Sequence, residues 1–279
     1  MVGRFSHSYD VLTFDFVGCG VSKGEFVTLG LNEAEDLKAI IQHMYTEHGY
    51  RDVYLWGRSM GAVSILHLLH GFKRLKRERR RNELRIERYE KARLKSADPK
   101  SIISNKVKQL RGKNGAIDEQ LVLDEAIRAV VLDAPFTCAY KMLGKIIRNQ
   151  ANTSSFTTYI ALQYLKRSVR SNIGRDIITE NKPESLVKEL TTPAAFLLGE
   201  HDELVSVDDF MSMFNEYGAE YKRFRLMVNT DHAASREEED IDAGFRFLQD
   251  MHEMHVERKG GVKKDKKVTE LLEDSLLNE

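Results

Sequence analysis

The chain has 279 residues, enough for one large domain or two small ones with a substantial core. Its 43 Lys and Arg balance 43 Asp and Glu, which excludes a general charge attraction to nucleic acid or membranes. Two cysteines, Cys19 and Cys138, are too few for a disulfide framework and favour a reducing compartment. The sequence contains neither an apolar run long enough to span a bilayer nor a signal-peptide core. We therefore expect a cytoplasmic protein that could also associate peripherally with membranes.

Short apolar segments alternate with helical patterns along the chain. The predicted strands are Val11–Phe16, Asp52–Trp56, Ala129–Asp133, Ala194–Leu198 and Arg223–Val228. The predicted helices cover roughly 31–48, 62–71, 207–217 and 237–254, and the region 137–190 is predicted to be mainly helical. Short buried strands that alternate with helices indicate a mostly parallel sheet covered by helices on both faces.

The stretch from Lys73 to Lys113 differs from the rest in composition, with 17 Lys and Arg against five acidic residues. Because it has few large apolar residues, we predict a basic, partly helical or disordered insertion at 73–125. The predicted organisation is an α/β domain over 1–255, interrupted by this insertion, and a charged tail at 256–279. The insertion is either a solvated surface, as charge runs usually are, or a basic arm at 73–113 for anionic lipid or RNA.

The most informative motif is Gly57-Arg58-Ser59-Met60-Gly61, which joins the strand at 52–56 to an apolar helix. A serine at the apex of such a tight turn is held in a strained conformation that exposes its hydroxyl. The N–H of Met60, at the start of the helix, can then face a developing oxyanion. We attribute both glycines to a lack of room for side chains. The alternative is a turn serine without chemistry.

Four polar residues come just after predicted strands. They are Ser59, Asp133, Asp202 and His232. Because sites in parallel sheets form at the carboxyl ends of the strands, we expect these residues to lie near one another. A serine hydroxyl needs a base to act as a nucleophile, and a histidine oriented by a carboxylate supplies one.

Several blocks of the chain resemble successive blocks of α/β-hydrolases. These blocks are Phe14–Glu25, Gly57–Gly61, Asp133–Phe136, Gly199–Asp202 and Asp231–Arg236. The branch that the chain resembles most is the intracellular serine-aminopeptidase-like group, which is similar to the acyl-protein thioesterases that remove palmitate. The resemblance covers roughly 10–72 and 126–250. It implies an α/β-hydrolase fold and a serine hydrolase for esters or thioesters, with peptides less favoured.

The resemblance also implies the role of each site residue. Ser59 is the expected nucleophile, His232 the general base, Asp202 the acid partner and the Met60 N–H an oxyanion donor. The order of nucleophile, acid and histidine along the chain is that of the family.

Three carboxylates compete with Asp202 for the role of acid. Asp133 also ends a strand, and some members of the fold place the acid there. Glu200 and Glu203 are weaker rivals. We favour Asp202 because the residues after it match the family's acid loop.

The sequence predicts neither a cofactor nor a metal. His67 and His70 could form a metal pair, but without a nearby carboxylate or thiol cluster they are more typical of core or surface histidines. Cys19 could be reactive, although a small residue packed in a tight loop is the simpler interpretation.

The resemblance implies about three strands before Val11–Phe16. The third would carry a His-Gly loop with the second oxyanion donor, and it would lie between the strands at 11–16 and 52–56. About ten residues precede Val11, so we expect an N-terminally truncated sheet or direct pairing of the two flanking strands. Losing one oxyanion donor costs about a hundred- to a thousandfold in rate. The alternative function is therefore a non-catalytic relative that binds an anionic partner through its insertion.

Overall fold

A computed structural model describes residues 9–95 and 102–259. The predictions for the N-terminus before residue 9 and for the tail after residue 259 lie outside the described residues. The fold centres on a four-stranded parallel sheet with the strand order β1-β2-β3-β4. The strands are β1 (Val53–Arg58), β2 (Ile127–Asp133), β3 (Ala194–Gly199) and β4 (Lys222–Met227). Four of the five predicted strands are thus confirmed, each within two residues at either end.

Helices connect the strands and cover the sheet. They are α1 (Glu33–Glu47), α2 (Met60–Lys95), α3 (Ile102–Ala126), α4 (Ala139–Ala151), α5 (Ser155–Ile173), α6 (Ile177–Glu180), α7 (Val207–Glu216) and α8 (Glu238–Lys259). Two short 3-10 turns, Pro183–Ser185 and Val187–Glu189, lead into β3.

The core has two layers because alternate residues of a strand face opposite sides of the sheet. Val130 and Leu132 of β2 belong to the larger cluster, which includes residues of α1, α2, α3 and α7. Ala129 and Val131 belong to the smaller cluster, which they share with Phe247 and other residues of α8. Helices therefore cover both faces, and the predicted fold class is confirmed.

The predicted strand at Val11–Phe16 is wrong. This segment adopts no regular secondary structure, and Leu12 is 52% exposed. Within the described chain β1 pairs with β2 alone, so Val11–Phe16 does not pair directly with β1. An apolar alternating segment becomes a strand through the hydrogen bonds of a neighbouring strand, and none of the four described strands pairs with this one. The segment is held instead by side chains, with Phe14 and Phe16 packed against the larger core.

The apolar helix that was predicted to end near Gly71 continues as α2 to Lys95. An added Cβ at Gly71 would meet no atom of the described residues within 4 Å, and the Arg, Lys, Glu and Leu residues that follow favour a helix. α3 packs along this extension, with Ile117 and Leu121 buried in the larger core and Asn82 Nδ2 2.9 Å from Asn114 Oδ1. The segment that the sequence sets apart as an insertion therefore shares the main core.

Many basic residues of this segment bind acidic residues of neighbouring elements. Lys76 Nζ lies 2.6 Å from Asp124, and Arg77 lies 2.8 Å from Glu189. Anionic lipid or RNA binding by 73–113 stays a prediction. No helix within residues 9–95 or 102–259 combines the length and the apolar character needed to cross a membrane.

Candidate active site

Ser59 occupies the turn between β1 and α2, in the left-handed region with φ of +49°. A side chain held there costs about 1–3 kcal/mol unless the surroundings enforce it. Two backbone hydrogen bonds do so: the Ser59 N–H donates to Asp133 O at 2.7 Å, and the Val63 N–H donates to Ser59 O at 3.1 Å. The predicted strained turn between a strand and a helix is confirmed.

The two glycines of the motif have different reasons for being small. An added Cβ at Gly57 would lie 2.4 Å from the carbonyl carbon of Gly61, so no side chain fits there. At Gly61 an added Cβ would meet no atom of the described residues within 4 Å. The expectation that both positions lack room is therefore wrong for Gly61, which lies in the open first turn of α2.

Ser59, His232 and Asp202 form one hydrogen-bonded row. His232 Nε2 lies 3.0 Å from Ser59 Oγ, and His232 Nδ1 lies 2.7 Å from Asp202 Oδ2. When Nδ1–H donates to the carboxylate, Nε2 is left to accept the Ser59 hydroxyl proton. The structure thus brings together three residues that are separated by up to 173 positions in the chain.

The Asp202 carboxylate is fixed by its own loop. Its other oxygen, Oδ1, accepts hydrogen bonds from the N–H groups of Leu204 at 2.9 Å and Val205 at 2.8 Å. The Asp202 side chain is 0% exposed, whereas the His232 side chain is 17% exposed. Water and small molecules can therefore approach the imidazole but not the carboxylate behind it.

Two arginines that sequence reasoning missed hold the backbone around His232. Arg58 Nη2 donates to the carbonyl oxygens of His232 and Ala234, the latter at 2.9 Å. Arg236 Nη1 donates to the Asp231 carbonyl at 3.0 Å. The positions of both arginines within family-like blocks were a signal that they matter, but not of what they bind. Together they fix the loop that orients the imidazole.

The rival carboxylates have other partners. Asp133 forms a buried ion pair with Arg236, in which Arg236 Nη2 lies 2.7 Å from Asp133 Oδ1. Glu200 Oε2 accepts from the Asn229 N–H at 3.2 Å, and Glu203 Oε2 lies 3.5 Å from Asn149 Nδ2. Among the described carboxylates, Asp202 is the one hydrogen-bonded to the His232 imidazole.

Met60 is the first residue of α2, where backbone N–H groups lack partners within the helix. The N-terminal end of a helix also carries a partial positive charge, which favours an anion there. The role of its N–H as an oxyanion donor stays a prediction.

The remaining candidates do not converge on a metal site. His67 Nε2 lies 2.8 Å from Asn181 Oδ1, and burial lowers the pKa of His67 below its ordinary value. His70 Nε2 lies 3.9 Å from Glu189. No group of three or more His, Cys, Asp or Glu residues in the described part of the chain could hold a metal ion. Cys19 is a free, half-buried thiol.

Comparisons with known proteins concern the family and the fold. A family model described as serine aminopeptidase, S33, matches residues 5–79, which include the serine turn. No curated protein matches the chain significantly. Two crystal forms of the Pyrococcus furiosus esterase Pf2001 are similar in structure, with TM-scores of 0.53 and 0.52. Each is 17% identical and covers 89% of this chain and 74% of the esterase.

A monoacylglycerol lipase from Paleococcus ferrophilus is a weaker likeness, with a TM-score of 0.45 and 12% identity over 85% of this chain and 81% of the lipase. At such identities a likeness concerns the fold. Three observations identify the fold: the parallel sheet with helices on both faces, the strained serine turn after β1 and the S33 match over that turn. The chain has the α/β-hydrolase fold, and its residues 5–79 are similar to the S33 serine aminopeptidase family.

Proposed function

We propose that this protein is a serine hydrolase that cleaves carboxylic ester or thioester bonds through an acyl-enzyme intermediate on Ser59. The observation that carries the proposal is the continuous row from Ser59 Oγ through the His232 imidazole to the buried Asp202 carboxylate, with contacts of 3.0 and 2.7 Å. An ordinary surface serine has neither a base within hydrogen-bond reach nor a strained turn that presents its hydroxyl.

In the first half of the reaction, Ser59 Oγ attacks the carbonyl carbon of the substrate while His232 Nε2 takes the hydroxyl proton. The carbonyl oxygen becomes an oxyanion, which the Met60 N–H at the start of α2 stabilises. The carbon–oxygen or carbon–sulfur bond to the leaving group then breaks. His232 returns the proton to the departing alcohol or thiol, and the acyl group stays on Ser59.

In the second half, water replaces the leaving group. His232 Nε2 takes a proton from water, and the hydroxide attacks the acyl carbon. When the tetrahedral intermediate collapses, Ser59 Oγ recovers its proton and a carboxylic acid leaves. Asp202 holds Nδ1–H throughout and stabilises the imidazolium that forms twice per cycle.

Esters and thioesters are proposed ahead of amides. The structural neighbour with the TM-score of 0.53 is named an esterase, whereas the S33 family description names an aminopeptidase. An aminopeptidase has to bind the free amino group of its substrate. We base the preference on the row itself, which suits acyl transfer to water from a good leaving group. Comparing the hydrolysis of a p-nitrophenyl ester with that of a p-nitroanilide peptide tests the preference, and the ester should be hydrolysed faster.

The proposal is tested by labelling the full chain with a fluorophosphonate probe and mapping the labelled peptide. Such probes require an activated serine, so the label is expected on Ser59 and is expected to disappear in Ser59→Ala. Ser168→Ala, which removes an exposed hydroxyl on α5, is the matched control and should label like the unchanged chain.

Kinetics with short p-nitrophenyl esters and thioesters provide the second readout. Ser59→Ala and His232→Ala should each lower kcat by at least about a thousandfold, and the double variant should lose little more because the two residues act as a unit. A folded chain that neither labels at Ser59 nor turns over these substrates would contradict the proposal and favour the non-catalytic alternative.

A further inference from the structure

The outward side of α5 exposes large apolar residues that no other part of the described chain covers. Phe156 is 71% exposed, Tyr159 54%, Ile160 51% and Tyr164 77%. We call these four residues the aromatic face of α5. Single exposed apolar residues are ordinary on protein surfaces, whereas four on one helix suggest a surface that contacts something else.

Helical geometry places the four side chains together. They are spaced by three, one and four residues, so they fall on one side of a helix with 3.6 residues per turn. The opposite side packs inward, with Thr158 3% and Leu162 3% exposed. α5 thus has a buried side, as expected for a folded helix, and an apolar side that is left outside.

The helix that presents this face is capped at both ends. Ser154 Oγ accepts the Thr157 N–H at 3.3 Å as the N-cap. Gly174 ends the helix with φ of +75°, and its N–H donates to Arg170 O at 3.0 Å. A capped helix keeps its exposed residues in fixed positions relative to one another.

The second feature of α5 is its charge. Its 19 residues include no Asp or Glu, whereas Lys166, Arg167 and Arg170 follow the aromatic face along the helix. Lys166 pairs with Asp176 at 3.0 Å. Arg167 and Arg170 are exposed and form no ion pair with the described residues. Two unpaired positive charges therefore lie next to the exposed apolar surface.

We propose that the aromatic face of α5, together with Arg167 and Arg170, docks the protein on the surface of a lipid bilayer that contains anionic headgroups. Phenylalanine and isoleucine favour the boundary of the acyl chains, and tyrosine places an apolar ring and a polar tip across the interface. The adjacent arginines complement the negative headgroups.

α5 is linked by packing and ion-pair contacts to the loop that carries Asp202 of the Ser59–His232–Asp202 row. α5 packs on α4, and Lys141 Nζ of α4 lies 2.9 Å from Asp209 Oδ1 at the start of α7. α7 begins five residues after Asp202, beyond the carboxyl end of β3. α5 is thus connected through α4 and α7 to the loop that carries Asp202, and the docking proposal stands whether or not the row is catalytic.

The test is co-sedimentation of the full chain with two kinds of vesicle, phosphatidylcholine alone and phosphatidylcholine mixed with phosphatidylserine. The chain should sediment with the mixed vesicles, more weakly with phosphatidylcholine alone, and less as salt is raised. Replacing Arg167 and Arg170 by Gln should weaken partition to the mixed vesicles by about fivefold per arginine, roughly twenty-five-fold together. Phe156→Ser with Tyr164→Ser should weaken binding to both kinds.

Matched controls keep the proposal falsifiable. Arg81→Gln with Arg85→Gln removes two exposed arginines from α2, and Val256→Ser replaces a 51% exposed valine of α8. Both controls should bind vesicles like the unchanged chain, because this proposal places the lipid contact on α5 and competes with the prediction that the basic segment 73–113 binds anionic lipid. The proposal is overturned if the chain binds no vesicle, or if the α2 variant rather than the α5 variants loses binding. It is also overturned if the unchanged chain is a dimer that the α5 variants convert to a monomer while vesicle binding stays the same.

Discussion

Asp133 and Arg236 form an ion pair that is almost entirely shielded from solvent, with side-chain exposures of 1% and 2%. Arg236 Nη2 lies 2.7 Å from Asp133 Oδ1, and Arg236 Nε lies 3.0 Å from Oδ2. The same two residues contact the loops that carry Ser59 and His232. Asp133 O accepts the Ser59 N–H at 2.7 Å, and Arg236 Nη1 donates to Asp231 O at 3.0 Å. The pair therefore links the serine turn to the histidine loop.

Breaking this pair from one side should destabilise the protein strongly. Arg236→Met leaves the Asp133 carboxylate buried without a partner, and the free energy of unfolding should fall by about 3–5 kcal/mol. Urea unfolding at neutral pH measures this loss in the free energy of unfolding. The double variant Asp133→Leu/Arg236→Met removes both charges, so it should regain a large part of this loss.

A surface pair is the control for this measurement. Arg175 Nε lies 2.7 Å from Glu180, with side-chain exposures of 54% and 49%. Arg175→Met should cost less than about 1 kcal/mol because water solvates the remaining charge. Equal losses for the two arginine variants would contradict the view that burial makes the Asp133–Arg236 pair important.

Among the carboxylates, Asp202 should be the acid partner of His232. Asp202→Asn keeps the size of the side chain but favours the wrong imidazole tautomer, so kcat for ester hydrolysis should fall by about ten-thousandfold. Glu200→Gln is the matched control, because its carboxylate oxygen accepts from the Asn229 N–H and not from His232. It should change kcat by less than about tenfold. The opposite ranking would transfer the acid role to Glu200.

The two glycines of the serine turn should respond oppositely to alanine. Gly57→Ala forces a methyl group to within 2.4 Å of the Gly61 backbone, so the turn must move and both stability and activity should drop. Gly61→Ala places the methyl group in open space in the first turn of α2, where alanine stabilises a helix by up to about 1 kcal/mol. Thermal unfolding measures the stability of the two variants, and fluorophosphonate labelling measures the reactivity of Ser59 in each. Loss of the folded state in Gly61→Ala would contradict the assignment.

The sequence was sufficient to predict the parts of the fold that depend on local pattern. The runs at 129–132 and 194–198 are uniformly apolar, which fits strands buried on both faces, and both lie in strands. Because residues after parallel strands share one edge, the proximity of Ser59, Asp202 and His232 was also predictable.

The errors concern properties that depend on distant partners. Val11–Phe16 has the pattern of a strand, but a strand needs a neighbour to complete its hydrogen bonds, and pattern does not reveal a missing neighbour. Arg236 binds a carboxylate 103 residues away, and nothing in the local sequence specifies that pairing. Gly71 resembles a helix end, yet the helix-favouring residues that follow carry α2 past it.

His67 provides a pH-sensitive element outside the candidate site. Its Nε2 lies 2.8 Å from Asn181 Oδ1, and Asn181 Nδ2 donates to Leu29 O at 2.7 Å. Asn181 is 0% exposed, so the contact joins α2 to the loop before α1 in the interior. Burial is the main cause that lowers the pKa of His67, and the nearby His70 lowers it further.

The lowered pKa sets the direction of the pH effect. Below about pH 6.5 His67 takes up a proton in the unfolded chain but stays neutral in the folded chain. The free energy of unfolding should therefore fall as the pH decreases from about 6.5 to the lower pKa that His67 has in the folded chain. His67→Gln keeps a hydrogen-bond donor for Asn181 and removes the titration. It should therefore lose less stability than the unchanged chain between pH 7.5 and pH 5 in urea unfolding. The exposed His48→Gln is the control and should lose as much as the unchanged chain. A His67→Gln variant with the same acid sensitivity as the unchanged chain would refute the link between this buried imidazole and acid stability.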